Sequence, residues 1–440
     1  MILATVAELL LLQVLLGNCA DVEQAVHMCG KESDDTLEAG CECHDDKNLI
    51  ICDDNKILPG HEKNLVELYF NFNRISKIEN GTFDEMINLE VLDLSGNRLK
   101  KIEAFWFQGA KWKLKYLNLE ENTLQSLPVE VFSTMPTLES LILDGNPKLF
   151  DWKNSSKPFG FGDSLTALKN LSMNSCKIKN LPDDYFAKLT SLEVLSLANN
   201  FFITLPTALH KIPSLLSLDL SKTDITEIDQ DSFLYDTNLQ SLFCVDCQYL
   251  EFVDDCGFCG LKNLKELDLH GCIQLYDISD KAFGYGHKDA VLPKLEYLDL
   301  QQTKMSTLSG NLFDSSNLIG LAFSSTPWNC TCDTAWMLEL DLEVIKGPKC
   351  QSPQYLKDKQ LLSLTSQMLC PNRLRFTKLM LSLFVVLTAV FFAIFVYYLT
   401  TNYRIRNIFY RPDMPNVGYR NLSNADEESH RNVRVTPAPA

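Results

Sequence analysis

Between Leu65 and Phe323 the apolar positions recur in one fixed order. A leucine or another large apolar residue stands at places one, four, six and, in most copies, eleven of a short segment, with a polar residue at place nine. The first copy runs through Leu65, Leu68, Phe70, Asn73 and Ile75, the second through Leu89, Leu92, Leu94, Asn97 and Leu99, the third through Leu114, Leu117, Leu119, Asn122 and Leu124. Later copies start at Leu138, Leu168, Leu192, Leu215, Leu239, Leu264, Leu295 and Leu318, which makes eleven. Most intervals are 23 to 25 residues; two are 30 and 31, so extra loop is expected at 147–167 and 276–294. The alternation around places four to six predicts a short strand with one buried face. A single copy cannot bury that face, but stacked copies share one continuous core. Eleven strands spaced by about 4.8 Å would make a parallel sheet roughly 50 Å across on the concave side of a solenoid.

The same register assigns the remaining positions. Phe83, Phe132, Phe186, Phe233, Phe258, Phe283 and Phe313 recur in the returning half of many copies. They read as an internal aromatic spine, since large apolar residues are mostly buried. Place nine holds Asn73, Asn97, Asn122, Asn146, Cys176, Asn200, Thr223, Cys247, Cys272, Thr303 and Thr326. These side chains are expected to turn inward and satisfy backbone groups leaving the sheet.

Outside the array, Ile2 to Leu16 is mostly apolar and followed by small residues, which reads as a signal peptide over 1–20. Leu379 to Leu399 is 21 residues without a charge. At about 1.5 Å per residue it would span roughly 31 Å, the thickness of a bilayer core. A lipid-anchor signal is the competing reading, opposed by the charged segment that follows. Basic residues flank both ends (Arg373, Arg375 and Lys378; Arg404, Arg406 and Arg411), so charge leaves the orientation open. The signal peptide and the cysteines predict a single-pass type I protein of the plasma membrane, with its N-terminus outside. The expected segments are 1–20 signal, 21–64 N-terminal cap, 65–326 repeats, 327–372 C-terminal cap, 373–400 transmembrane helix with its flank, and 401–440 a short disordered cytoplasmic tail.

Fifteen cysteines, several in pairs one residue apart, point to an oxidising compartment. Spacing alone leaves three connectivities for each set of four. Cys244, Cys247, Cys256 and Cys259 form two C-x-x-C pairs that superficially resemble a zinc site. Disulfides or buried thiols are the better reading for an oxidising compartment. The sequence assigns no partners among Cys176, Cys244, Cys247, Cys256, Cys259 and Cys272; Cys247 with Cys272 is one pairing that stacking of place nine allows.

The repeats, with Cys29, Cys41, Cys43 and Cys52 before them and Pro327-Trp328-Asn329-Cys330-Thr331-Cys332, Trp336, Cys350 and Cys370 after them, resemble the extracellular leucine-rich repeat proteins with cysteine-rich caps. The resemblance covers roughly residues 29 to 370. It implies a leucine-rich repeat solenoid, or horseshoe, with a parallel β-sheet on the concave face, an irregular or short-helical convex side and disulfide-capped ends. By likeness to the family, the pairs would be Cys29–Cys43, Cys41–Cys52, Cys330–Cys350 and Cys332–Cys370. Caps have a physical purpose, because the first and last repeats would otherwise open the core to water.

The concave side chains come from places three, five and seven, three in each of eleven copies, or 33 positions, with no Lys or Arg among them. Acids stand at Glu67, Asp93, Glu120, Asp144, Asp219, Glu266, Asp268 and Asp299, and aromatic anchors at Tyr69, Tyr116, Phe243 and Tyr297. That pattern suits an extracellular protein ligand with a basic patch; the bland alternative is that Asp at place five is common in such repeats. Asn80, Asn154, Asn170 and Asn329 begin N-x-S/T sequons, and a glycan on Asn170 would divide the concave face. In the tail, Tyr419, Asn421 and Leu422 resemble an adaptor or endocytic motif and offer a cytoplasmic adaptor site at Tyr419. The tail is too short for a kinase or a Toll-type signalling domain.

The net charge of −17 excludes a basic nucleic-acid footprint. No metalloprotease, P-loop or nucleophile-elbow motif is present, so neither catalysis nor a cofactor is expected. The expectation is a cell-surface receptor or adhesion protein. An auxiliary subunit of a channel or receptor, and an innate-immune co-receptor or decoy, are the alternatives.

Overall fold

The computed structural model describes residues 40–44, 49–53, 65–78, 80–107, 113–133, 135–150, 161–233, 238–286, 291–340, 348–370 and 373–409, with backbone alone at 40–44, 49–53, 373–376 and 403–409. The signal peptide, Cys29, Asn154 and the tail residues Tyr419, Asn421 and Leu422 lie outside them, as do any pairings of Cys29, Cys41, Cys43 and Cys52. The chain divides into two units, Met1–Cys370 and Pro371–Ala440.

The first unit is a solenoid of eleven repeats. Each contributes a three-residue strand from its places three to five, beginning with Glu67–Tyr69, Val91–Asp93 and Tyr116–Asn118 and ending with Tyr297–Asp299 and Gly320–Ala322. All are parallel and in register. The place-four residues Leu68, Leu92, Leu117, Leu141, Leu171, Leu195, Leu218, Leu242, Leu267, Leu298 and Leu321 pair one after another across the sheet. None exceeds 5 % exposure, so this ladder of leucines is the centre of the core. At the front, Gly40–His44 and Leu49–Asp53 form an antiparallel pair whose second strand joins the first repeat, completing a thirteen-stranded sheet. That backbone ladder sets Cys41 opposite Cys52.

Place eight fixes the turn out of the strand. All eleven residues there have positive φ: Phe72, Gly96, Glu121, Gly145, Ser175, Asn199, Lys222, Asp246, Gly271, Gln302 and Ser325. Only three are glycine, so the stack imposes this conformation on residues that ordinarily avoid it. Gly96 must also be small: a Cβ there would lie 2.7 Å from Cδ1 of Phe72.

The turn carries place nine inward, as expected. Asn97 Nδ2 donates to the carbonyls of Phe70, Leu94 and Ser95 at 2.7, 3.0 and 3.0 Å, while its Oδ1 accepts from the Ile75 amide at 2.9 Å. Asn122 and Asn146 repeat the arrangement. The convex half is made of turns and short 3-10 segments, with a minor parallel sheet of Glu227–Ile228, Phe252–Val253 and Asp277–Ile278. All seven spine phenylalanines are buried, and stacked neighbours such as Phe258 and Phe283 meet at 5.0 Å between centroids.

The back cap closes by Cys330–Cys350 and Cys332–Cys370, the pairing implied by the family resemblance. Trp328 is fully buried against Phe323, and Trp336 donates to the Leu308 carbonyl at 3.0 Å. The remaining cysteines correct one expectation. Cys256 pairs with Cys259, whereas Cys247 and Cys272 are free buried thiols, with Cys176 and Cys244. At place nine each thiol is engaged along the stack instead. Cys272 Sγ donates to the Cys244 carbonyl at 3.0 Å and Cys247 Sγ to the Leu220 carbonyl at 3.3 Å, much as an asparagine amide would. Among the described residues no group of His, Cys, Asp and Glu is arranged to hold a metal ion.

Among the described residues the second unit holds one helix, Arg373–Phe409. Its stretch 377–402, which holds an 18-residue window of mean hydropathy 2.9, is long and apolar enough to cross a membrane and contains the expected span 379–399. The helix runs nine residues beyond the expected end of the span at 400, with Arg404 and Arg406 in that extension. Continued i to i−4 bonding needs no apolar environment, so a helix can outlast its apolar face.

Candidate functional site on the concave face

Strand alternation turns places three and five of each repeat away from the leucine ladder, and place seven continues that face. Of the twelve expected contact residues, ten are partly exposed there: Glu67, Tyr69, Asp93, Tyr116, Glu120, Asp144, Asp219, Phe243, Asp268 and Tyr297. Glu266 and Asp299 are not available to a ligand in this way. They are 8 % and 6 % exposed, and their oxygens serve neighbours. Ser241 Oγ donates to Glu266 at 3.2 Å, and the Gln301 amide and side chain donate to the two oxygens of Asp299, each at 2.8 Å. A count of places cannot show this burial.

The acid at place five has a local task. Asp93, Asp219, Asp268 and Asp299 each accept the backbone N–H two residues ahead at 2.8–2.9 Å, and Asn118 does the same for Glu120. This is an Asx turn, ending the strand by satisfying an amide that has no sheet partner. The bland alternative therefore describes part of the acid content. It does not cover Glu67, Glu120 or Asp144, which stand at places three and seven.

Polar side chains link repeats four to seven. Asp144 accepts from Ser172 Oγ at 2.7 Å and from the backbone and side-chain amides of Asn174 at 2.8 and 3.0 Å. Ser196 Oγ lies 2.7 Å from Asn174 Oδ1 and 3.1 Å from Asp219 Oδ2. Serine thus holds together acids that would otherwise repel.

Burial raises the carboxyl pKa values along the face. Asp268 is pushed up to about 7, by burial first and then by Asp299, Glu266 and Asp219. Asp144 is raised by burial against the pull of Ser172 and Asn174, and Glu120 by burial, then Asp144 and Glu121. Tyr69 rises to about 12, through burial and then Glu67, whose carboxylate accepts its hydroxyl at 3.3 Å. Each of these three carboxyls is partly desolvated and lies beside other acids. Lysines lie off the concave face at place two, where Lys115, Lys169 and Lys265 pair with Glu90, Glu139 and Glu296.

Of the sequons, Asn80 is exposed in a turn. Asn170 is half-buried on the concave strand of the fifth repeat, and the Ser172 hydroxyl of its sequon is bound to Asp144. Asn329 is half-buried in the back cap and accepts from Ser352 Oγ at 2.7 Å.

The family description Leucine rich repeat matches residues 63–111, 88–147 and 166–225. The chain is a leucine-rich repeat protein. The match stops in the seventh repeat, where asparagine at place nine gives way to threonine and cysteine. Among curated relatives, Podocan of Mus musculus is 27 % identical over 316 residues, covering 60 % of this chain and 49 % of that protein. Lumican of Bos taurus is 29 % identical over 219 residues, 48 % of this chain and 52 % of that one. Transforming growth factor beta activator LRRC33 of Danio rerio is 34 % identical over 169 residues, 36 % and 24 %. The chain thus spans about half the length, or less, of these relatives. The likeness covers the leucine-rich scaffold; partner choice rests on surface side chains.

Proposed function

We propose that the protein is a cell-surface leucine-rich repeat receptor or adhesion protein that binds an extracellular protein through its concave face. The observation that carries this is the charge of that face: no Lys or Arg at its 33 positions, and carboxyls whose pKa values are raised by burial and by neighbouring acids. A partner presenting Arg and Lys would supply the missing counter-charges and gain from desolvated pairing. Tyr69, Tyr116 and Tyr297 would give it aromatic anchors. The apolar helix tethers the chain in a plasma membrane, with the disulfide-bearing unit outside and the tail, including Tyr419, inside. Three disulfides support that side for the repeats. The printed name of one relative, an activator of transforming growth factor beta, supports an extracellular protein ligand as the class of partner. The protein recognises rather than catalyses.

The test is an unbiased binding screen with the intact chain displayed on cells, followed by charge reversal at Glu120 and Asp268, both partly exposed. Loss of binding of about tenfold or more, together with weakening of wild-type binding by added salt, is expected for charged pairs at an interface. Unchanged affinity in E120K/D268K sinks the concave-face reading.

A further inference from the structure

The Cys256–Cys259 bond differs from the cap disulfides in what it encloses. Its sequence separation is 3, against 20 and 38 in the back cap. A loop that short restricts the unfolded chain least of the three, so the bond adds least to stability. The caps need their crosslinks because they have little core. The turn bearing Cys256 does not, because it is already held on every side.

Its backbone bonds to both neighbours: the Cys256 and Phe258 amides donate to the Lys281 and Ala282 carbonyls at 3.0 and 2.8 Å, and the Gly260 amide to the Phe233 carbonyl at 3.0 Å. Phe258, inside the loop, is fully buried between Phe233 and Phe283. Gly257 fits only as glycine, since a Cβ there would meet the Ile228 carbonyl oxygen at 2.7 Å and Val253 Cγ1 at 2.9 Å. The two cysteines are both partly exposed, as Cys332 and Cys370 are, whereas Cys330 and Cys350 are buried. Cys256 also stands at φ +63°, a left-handed backbone that a non-glycine residue does not favour. A bond of low structural value, reachable from solvent and seated in a rigid turn, is placed for exchange rather than for bracing.

We propose that Cys256–Cys259 is a thiol–disulfide exchange site on the convex surface, where an external dithiol opens and recloses the bond while the repeats stay folded. One thiolate of the dithiol attacks a sulfur of the pair. The sulfur–sulfur bond breaks, and the other cysteine leaves as a thiolate that takes a proton from water. The second thiol of the reductant then displaces the first cysteine. The chain is left with two thiols and the dithiol becomes a disulfide; reversal with an external disulfide recloses the bond. The four buried thiols, Cys176, Cys244, Cys247 and Cys272, stay out of this chemistry.

The test is a graded dithiothreitol titration of the intact chain in detergent, with alkylation and peptide mapping of every cysteine, followed by circular dichroism. Cys256 and Cys259 should become alkylated at about a tenfold lower dithiol concentration than Cys330, Cys332, Cys350 and Cys370, with the spectrum unchanged. Cap cysteines opening at the same or a lower concentration, or loss of the spectrum as Cys256 opens, overturns the proposal. A second arm uses Cys259→Ser, which leaves Cys256 to capture glutathione from glutathione disulfide. A folded variant whose Cys256 stays unmodified overturns it too. Should that variant fail to fold, the wild-type titration decides alone.

Discussion

Asp268→Asn isolates the electrostatic cost of the concave face. At place five the carboxylate accepts the His270 amide at 2.8 Å, and an asparagine oxygen can do the same, as Asn118 does for Glu120 at 2.9 Å. The substitution therefore keeps the Asx turn and removes only the charge. Burial and the neighbouring acids raise the carboxyl from 3.8 to about 7. Each pKa unit corresponds to about 1.4 kcal/mol, so roughly three units give about 4 kcal/mol, and allowing a unit of error about 3–5 kcal/mol. The folded pKa lies above the unfolded one, so the folded chain holds the proton more tightly. That contribution is whole below about 3.8 and is lost as pH rises through about 7. Wild type and D268N should thus melt together near pH 4 and diverge by pH 8, with the variant more stable. At about 2 cal/mol/K per residue over some 300 residues, the gap is roughly 5–8 °C. Differential scanning calorimetry of the intact chain from pH 4 to pH 8 measures it. Equal melting temperatures at pH 8, or a gap that does not change with pH, would refute the assignment of Asp268 as a desolvated anion.

Other perturbations test other parts of the reading. Gly96→Ala places a Cβ against Phe72 and at φ +62°, and should cost about 1–3 kcal/mol in chemical denaturation. Phe258→Ala empties the middle of a three-ring stack and should cost about 3–5 kcal/mol, unfolding the eighth and ninth repeats first by hydrogen exchange. If a partner's cation pairs with Asp268, binding expels its proton, so affinity should rise between pH 6 and 8; calorimetry in buffers of different ionisation enthalpy counts that proton.

The leucine ladder, the spine and the inward place nine were legible because period and polarity mark burial directly. The seat of each strand followed, since Leu68 and Leu92 can share a core only in register. What escaped the pattern depends on neighbours rather than on period. Lys222 and Phe72 do not announce a left-handed backbone; the stack forces it on them. Glu266 and Asp299 sit at concave places yet are buried. The Asx role of Asp93 and its counterparts was signalled by an acid that closes the strand at place five, a cue read as surface charge instead. Cys256–Cys259 lies on the convex side, where no repeated pattern fixes a partner.

Place nine shows why some repeats abandon asparagine. In repeats one, two and three the amide of the place-eleven residue, Ile75, Leu99 or Leu124, donates to the Oδ1 of the next repeat's asparagine. Repeats four, eight and nine carry one more residue in this turn, and there the corresponding amide finds its own repeat's carbonyl. Leu149 donates to Asn146, Leu250 to Cys247 and Leu275 to Cys272, at 3.0–3.2 Å. The next repeat then needs no side-chain acceptor, and its place nine is Cys176, Cys272 or Thr303, each still donating to a carbonyl. An unsatisfied buried amide costs about 1–3 kcal/mol, enough to hold asparagine after repeats one, two, three and five, where that bond is made. Thr223, Cys247 and Thr326 follow repeats that lack both the extra residue and an asparagine acceptor. The contrast can be measured. Asn97→Cys keeps a donor but strands the Ile75 amide, and should lose about 1–3 kcal/mol. Cys272→Ser keeps the donor where no acceptor is required, and should change stability by less than about 1 kcal/mol. Equal losses in the two variants would mean that volume, rather than the fate of the place-eleven amide, selects the residue at place nine.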